Sequence, residues 1–270
     1  MWDKITSRGR VDDRRGSPRM IGGGLGVAGI AIIIILNLLG GGDITDVLTQ
    51  LQDVPISTTT TENSVEFEGE DSYEVFAGAV LGSANDMWSK VFTANGLTYN
   101  EPTLVLFRGG TQSGCGGANS YVGPHYCPAD GQIYLDETFF EELTTRFGAE
   151  GGDVAEAYVI AHEVGHHVQT ELNILDGGRP SNAESVALEL QADCFAGLWA
   201  YSIRDIGVFE PGEIREAMDA AAAVGDDRIQ KKTTGRIDQE SWTHGSSEQR
   251  MAAFNRGYET GSVKECNITI

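Results

Sequence analysis

Basic residues are scarce in this chain of 270 residues: 19 Lys and Arg stand against 40 Asp and Glu, which gives a net charge of −21. Such a chain repels a phosphate backbone, so nucleic-acid binding is excluded as its main function. The 35 glycines follow no period, which argues against a fibrous protein. Because 40 % of the residues are hydrophobic, the chain is not disordered throughout and can form one packed domain with extra segments, or two small domains.

Charge is absent from one long apolar stretch, residues 21–39. As a helix it would be roughly 29 Å long, enough to span a bilayer. Basic residues outnumber acidic ones before it, and Asp43 follows it, so the positive-inside rule predicts a cytoplasmic N-terminus and an extracytoplasmic remainder. A cleaved signal peptide is the alternative, but no Ala-x-Ala site follows Leu39. The expected organisation is a cytoplasmic basic segment 1–20, a transmembrane anchor 21–39, a linker or stalk 40–66 and one domain 67–270.

The rest of the chain predicts an α+β domain that is mainly helical. Short β-branched or aromatic runs predict strands at 103–107 and 132–135, separated by a Gly-rich loop. Capping residues and apolar periodicity predict the helices. Their expected ranges are Asp71 or Ser72 to Gly96, Asp136 or Thr138 to Gly148, Asp153 to Gln169, Ser181 to about Ile206, one that begins at Pro211, and Ser247 to Tyr258.

The chemically informative motif is an H-E-x-x-H sequence, His162 to His166, on the third of these helices. Residues four apart share one helix face, so both imidazoles can bind one metal ion. Glu163 can act as a general base that takes a proton from water and returns it to a leaving amine. Histidines that serve only the core or the surface are the alternative. His167 points elsewhere around the helix and is expected at the surface or behind the ligands.

A catalytic zinc site needs a third protein ligand. Gln169 and Leu172 occupy the positions where metzincins have Gly and His, so that group is excluded. Glu189 and Asp193 lie four apart on the next helix, so one can bind the metal while the other accepts a hydrogen bond from a ligand histidine. We therefore predict Glu189 as the ligand and Asp193 as the hydrogen-bond partner. Glu184 is the competing ligand, but it has no such partner four residues later.

Four cysteines allow three disulfide pairings. Cys115 and Cys127 bracket the Gly-rich loop, which favours pairing them with each other and Cys194 with Cys266. Such bridges are typical of proteins outside the cytosol. A cysteine-ligated zinc is the alternative, but the C-x-x-C spacing is missing.

Several segments together resemble the bacterial neutral zinc metallopeptidases of the YpfJ type. The resemblance covers nearly the whole chain and implies a zincin-like fold, bound Zn²⁺ and a peptide or protein substrate. The Glu-x-x-x-Asp pair on a second helix is also similar to that of gluzincins. The segments are the N-terminal motif 11–16, 123–128 with 134–136, the H-E-x-x-H motif 162–166, 189–197 and 243–250.

The spacing of His244 and Arg250 is similar to that in membrane gluzincins of the prenyl-protein protease type. That likeness implies that His244 stabilises the oxyanion and that Arg250 holds a carboxylate or loop. A loop histidine is the alternative for His244. The oxyanion donor could also be a tyrosine, and His125 is expected to be a loop residue near a disulfide. The candidate tyrosines are Tyr134, Tyr201 and Tyr258.

The sequence thus predicts a membrane-anchored zinc endopeptidase that acts outside the cytoplasm. Residues 132–135 are expected to offer a strand edge to an extended peptide. The alternative is a non-catalytic, metal-stabilised binding or scaffold protein of the cell envelope.

Overall fold

The computed structural model describes residues 2–16, 71–119, 123–145, 148–174, 180–210 and 212–266. The expected anchor 21–39 and linker 40–66 lie outside these ranges. Among the described residues, none of the helices combines the length and hydropathy needed to cross a bilayer.

Seven α-helices and six strands are found in the described residues, which agrees with the predicted α+β class. The helices are α1 (Ser72–Ala94), α2 (Phe139–Thr145), α3 (Asp153–Glu171), α4 (Asn182–Ile203), α5 (Ile214–Ala223), α6 (Asp226–Thr233) and α7 (Ser247–Thr260). The strands are β1 (Arg10–Asp13), β2 (Thr103–Phe107), β3 (Gly110–Ser113), β4 (Gly116–Asn119), β5 (His125–Cys127) and β6 (Gln132–Asp136). Short 3-10 turns cover Trp2–Lys4, Arg204–Ile206, Gln239–Ser241 and Val263–Cys266.

Two helix starts follow the predicted capping residues, Asp71 and Ser181. Asp71 caps α1 through the backbone N–H of Glu74. Ser181 caps α4, and Ser246 caps α7, each in a reciprocal capping box. Two helices differ from expectation: α5 begins at Ile214 rather than at residue 211, which lies outside the described ranges, and α6 lies where no helix was predicted. The apolar content of α6 is too low for periodicity to reveal it.

The main sheet has the order β1-β2-β6-β5, with β5 antiparallel to β6 and the other pairs parallel. Strands β2 and β6 lie where the sequence predicts them. Strands β3 and β4 form a separate hairpin within the expected Gly-rich loop. The prediction that residues 132–135 form a free edge is wrong, because β6 is paired on both sides. The edge strand next to β6 is β5, which is too short to be recognised from its sequence.

Close helix packing brings the chemistry-bearing helices together. A Cβ atom on Gly165 of α3 would lie only 3.0 Å from Ala192 Cα on α4, so glycine allows these backbones to approach. Gly197 of α4 and Gly257 of α7 each face the other helix's backbone in the same way, against the carbonyl oxygens of Phe254 and Cys194. Helix α4 therefore lies between α3 and α7, in contact with both.

The N-terminal segment, residues 2–16, is part of this same fold. Trp2 and Ile5 are buried in the main hydrophobic core, and β1 extends the sheet beside β2. The expected boundary near residue 20 therefore does not separate two structural units among the described residues. Strand β1 was not predicted because its residues, Arg-Val-Asp-Asp, have the composition of a solvated charged segment, and only the pairing with β2 makes them a strand.

Two disulfides connect the four cysteines in the predicted pairs, Cys115–Cys127 and Cys194–Cys266. The second bond ties the C-terminal turn to α4, immediately after Asp193. It thus braces the helix on which the predicted third ligand lies.

Candidate metal centre

The two motif histidines converge on one point. His162 and His166 lie on one face of α3, and their Nε2 atoms are 3.1 Å apart. Two nitrogens that bind one zinc ion tetrahedrally at about 2.0–2.1 Å lie roughly 3.3 Å from each other. The spacing of the imidazoles therefore fits a shared metal ion.

Helix α4 adds a carboxylate to this pair. Glu189 Oε2 lies 3.2 Å from His162 Nε2, and Oε1 lies 3.4 Å from His166 Nε2. One ligand atom from each of the three residues falls within 4.8 Å of the others. Two imidazoles and one carboxylate are the donor set of known catalytic zinc sites, so these residues fit zinc. The competitor Glu184 is elsewhere, because its carboxylate completes the capping box at the start of α4.

A buried network holds His162 in place. Its Nδ1 lies 2.9 Å from Asp193 Oδ1, and Arg250 Nε and Nη2 donate to both oxygens of Asp193 at 2.8 and 2.9 Å. Tyr158, which the sequence analysis missed, donates its hydroxyl to Asp193 Oδ1 at 2.5 Å. With Nδ1–H bonded to Asp193, Nε2 of His162 carries the lone pair that a metal requires. Asp193 and Arg250 thus form a hydrogen-bonded pair on the Nδ1 side of His162.

The second histidine has a neutral partner that the sequence analysis also missed. Gln169 Oε1 lies 2.9 Å from His166 Nδ1, so it accepts the Nδ1–H. The amide nitrogen of Gln169 donates to the Leu188 carbonyl at 2.7 Å and to Gln191 Oε1 at 3.1 Å. Gln169 is fully buried, so these bonds fix its orientation. The available signal was its position three residues after His166 on the same helix.

The imidazoles and carboxylates of this centre shift one another's pKa values. Burial alone would lower the pKa of His162, but Asp193 and Glu189 raise it to about 10. Burial would likewise lower the pKa of His166, but Glu189 raises it. The carboxyls shift the other way: although burial opposes their ionisation, the pKa of Glu189 falls well below its usual value because of the histidines. Arg250 and His162 lower the pKa of Asp193 to about 2. The carboxylates therefore stay ionised and present negative charge to a cation.

Glu163 follows His162 on α3 and is largely buried, with 7 % of its surface exposed. Its charge contributes to raising the pKa of His166. The carboxylate is thus mostly shielded from water and close enough to His166 to act on it electrostatically.

His244 lies on the loop before α7. Its Nδ1 is 3.2 Å from Asp226 Oδ1, and Asp226 Oδ2 accepts from the backbone N–H groups of Thr243, His244 and Gly245. Burial opposes ionisation of Asp226, yet the bonds from His244 and the backbone lower its pKa. A Cβ atom on Gly245 would lie 3.4 Å from Leu190 Cδ2, so this loop packs against α4 beside Glu189.

The other candidates have contacts elsewhere. His167 is buried and bonds to the Asn100 carbonyl at 2.6 Å, so it is a structural residue rather than a surface one. His125 lies in β5, two residues before the disulfide cysteine Cys127, and its ring stacks on that of Tyr134 in β6. Tyr134 donates to Asp130, Tyr201 lies beneath the Arg204 guanidinium, and Tyr258 stacks on Phe254.

Comparison with known proteins agrees with this geometry. A family model described as "Putative neutral zinc metallopeptidase" matches residues 1–269. The chain belongs to this family. It is 40 % identical over 284 residues to the uncharacterized protein YpfJ of Escherichia coli K12, covering 98 % of this chain and 97 % of that protein.

A second relative is an uncharacterized protein of Mycobacterium bovis, Mb2605, 47 % identical over 183 residues, or 63 % of this chain and 62 % of that protein. The uncharacterized protein Rv2575 of Mycobacterium tuberculosis matches with the same identity and coverage. No solved structure gives a significant match. Family membership thus agrees with the resemblance stated from the motifs, and it points to zinc as the metal of the cluster formed by His162, His166 and Glu189.

Proposed function

We propose that this protein is a zinc-dependent endopeptidase in which His162, His166 and Glu189 hold the metal and Glu163 is the general base. The observation that carries the proposal is the convergence of two imidazoles from α3 and one carboxylate from α4 on a single point. When bound there, a zinc ion would supply Lewis acidity that polarises a carbonyl and acidifies water.

The protein's own groups supply the proton transfers and the orientation. Glu163 takes a proton from the attacking water and delivers it to the amine nitrogen of the leaving product. Asp193 and Gln169 accept hydrogen bonds from the protonated Nδ1 atoms of the two histidines. The Nε2 atom of each histidine therefore keeps the lone pair that binds a metal.

His244 is proposed to donate a hydrogen bond to the oxyanion of the transition state. Its support is the anchored loop: Asp226 binds both its ring and its backbone, and the loop packs on α4 next to the third ligand. Its side chain is 46 % exposed, so substrate can reach it.

The substrate is proposed to be an extended peptide that pairs with the edge strand β5. This strand contacts the motif helix, since the hydroxyl of Tyr126 lies 3.3 Å from His167 Nδ1. The two disulfides favour a location outside the cytoplasm. Membrane association through residues 21–39 is proposed from the sequence alone.

The test compares the purified full chain with Glu163→Gln for zinc content and for cleavage of a fluorogenic peptide library. We expect equal zinc in both and a loss of cleavage of about 10²–10⁴-fold in the variant, because only the base is removed. Glu248→Gln, at an exposed position on α7, is the matched control and should cleave normally. Equal cleavage by Glu163→Gln would exclude this mechanism, and zinc binding without cleavage by the wild type would favour a scaffold protein.

A further inference from the structure

The N-terminal segment, residues 2–16, is built into the hydrophobic core. The Trp2 ring packs edge-on against Phe76 of α1 at 5.1 Å and stacks on Trp199 of α4 at 6.3 Å between ring centroids. Its Nε1 donates to Asp153 Oδ2 at 2.6 Å, at the first residue of the motif helix α3. One residue thus contacts three helices of the domain, so the segment is not an appendage.

The backbone of this segment fits against α1 with no spare room. The Gly9 N–H donates to the Gly78 carbonyl at 2.8 Å, and the Arg14 N–H donates to the Leu106 carbonyl at 2.7 Å. A Cβ atom on Gly82 would lie 2.7 Å from the backbone nitrogens of Arg8 and Gly9. Contact at this distance requires glycine, so α1 has a surface shaped for the segment.

A buried arginine closes the junction at the end of the segment. The Arg15 side chain is 1 % exposed and forms salt bridges with Asp13 at 2.7 Å, Asp71 at 3.0 Å and Glu137 at 2.7 Å. Asp71 is the residue at which the described chain resumes and is the N-cap of α1. The chain before residue 17 and the chain after residue 70 are therefore in direct contact.

We propose that residues 2–16 dock on the domain of their own chain, so that the N-terminal segment and the domain lie on the same side of any membrane the protein meets. A single crossing by residues 21–39 would place Arg15 and Asp71 on opposite faces of a hydrocarbon core about 30 Å thick. A salt bridge between them excludes that arrangement. The expected topology, with a cytoplasmic N-terminus and an extracytoplasmic domain, is incompatible with this fold. Docking within one chain follows because Arg15, near the end of the segment, contacts Asp71, where the described chain resumes.

The charge pattern that suggested the single crossing has another cause. Lys4 donates to the Gly207 carbonyl, Arg14 Nη1 donates to Thr111 Oγ1 and to the Gln112 carbonyl at 3.3 Å each, and Arg15 is buried in the junction. These basic residues hold the segment on the domain. They therefore do not report the cytoplasmic side of a membrane.

Thiol labelling of intact cells that express the full chain tests the proposal. Thr6→Cys and Lys231→Cys each place one thiol at an exposed position, in the segment and on α6 respectively, and the native cysteines are all in disulfides. A membrane-impermeant maleimide should label both variants or neither, and permeabilised cells should allow both to react. Labelling of only one variant before permeabilisation would overturn the proposal.

A matched pair of glycine variants tests the docking itself. Gly82→Ala puts a methyl group into the Arg8 and Gly9 backbone, whereas on Gly78, one turn earlier, the new Cβ would meet Val11 Cγ2 at an ordinary 3.6 Å. In Gly82→Ala we expect at least tenfold faster amide hydrogen exchange at Gly9 and Arg14, with little change in Gly78→Ala. Equal protection in the two variants would show that the segment is not seated on α1.

Discussion

Two buried arginines organise different parts of this molecule. Arg250, at the metal centre, binds both oxygens of the fully buried Asp193, whereas Arg15, at the N-terminal junction, joins three partly exposed carboxylates. Asp193 also bonds to His162, so at the metal centre the arginine orients a carboxylate that orients a ligand. At the junction the same ion pairing only holds two segments together. A buried arginine among carboxylates is therefore not a sign of catalysis, and the neighbouring imidazoles make the difference.

The largest expected effect is that of Arg250→Ala. It leaves Asp193 charged and completely buried, which should lower the free energy of unfolding by about 3–5 kcal/mol. Zinc affinity should fall as well, because Asp193, the hydrogen-bond partner of His162, is no longer held in place by Arg250. Urea unfolding and a competitive zinc titration measure the two effects. Unchanged zinc affinity would mean that Arg250 does not support the metal centre. The two arginines, Arg250 and Arg15, would then not differ in function.

Arg15→Ala should cost less, about 2–3 kcal/mol, because the carboxylates it leaves behind retain some contact with water. Zinc affinity should stay the same in this variant. The exposed Arg236→Ala is the control, with an expected change within about 0.5 kcal/mol. A loss of zinc affinity in Arg15→Ala that matched the loss in Arg250→Ala would mean that the two regions are not separate in function.

Gln169→Leu tests the second histidine of the metal centre, because His166 relies on a neutral amide instead of a buried ion pair. We expect zinc affinity to fall about 10–100-fold, because His166 Nδ1 loses its acceptor. Gln169→Glu keeps an acceptor at the same position and should retain more affinity than the leucine variant. Competitive titration with a chelator gives both values, and equal affinities for wild type and Gln169→Leu would argue that packing alone orients His166.

The smallest effect concerns Glu156 on α3, a half-buried carboxyl that lies among other carboxylates. Burial raises its pKa to about 7 from the usual 4.5, and Asp153 and Glu137 add to the shift. The folded state thus binds this proton more tightly than the unfolded state, so stability falls as the pH rises from about 4.5 to 7.

Glu156→Gln should therefore be more stable than wild type at pH 8, by about 1–2 kcal/mol after solvent screening, and nearly equal to it at pH 4. Thermal unfolding across this pH range provides the measurement, with the exposed Glu259→Gln as control. A variant that follows the wild-type pH profile would show that ionisation of Glu156 does not lower the free energy of unfolding.

Local signals predicted much of the fold. Asp71 and Ser181 occupy the capping positions of two helices, and strands β2 and β6 lie where their β-branched residues indicate. Strand β5 and helix α6 were missed because a strand of three residues and a helix with little apolar content carry no periodic signal. The free edge was misplaced for a related reason, since the order of strands in a sheet depends on pairings between distant segments.

The H-E-x-x-H spacing by itself determined that two imidazoles share one helix face, because residues four apart in any α-helix are neighbours. The same local rule placed Glu189 and Asp193 on one face of α4. Three features depend instead on long-range packing: α4 approaches α3 at Gly165, Gln169 supports the second histidine, and residues 2–16 complete the domain. Contacts such as that between Trp2 and Asp153, 151 positions apart, depend on how helices and strands pack. No short-range pattern in the sequence encodes that packing.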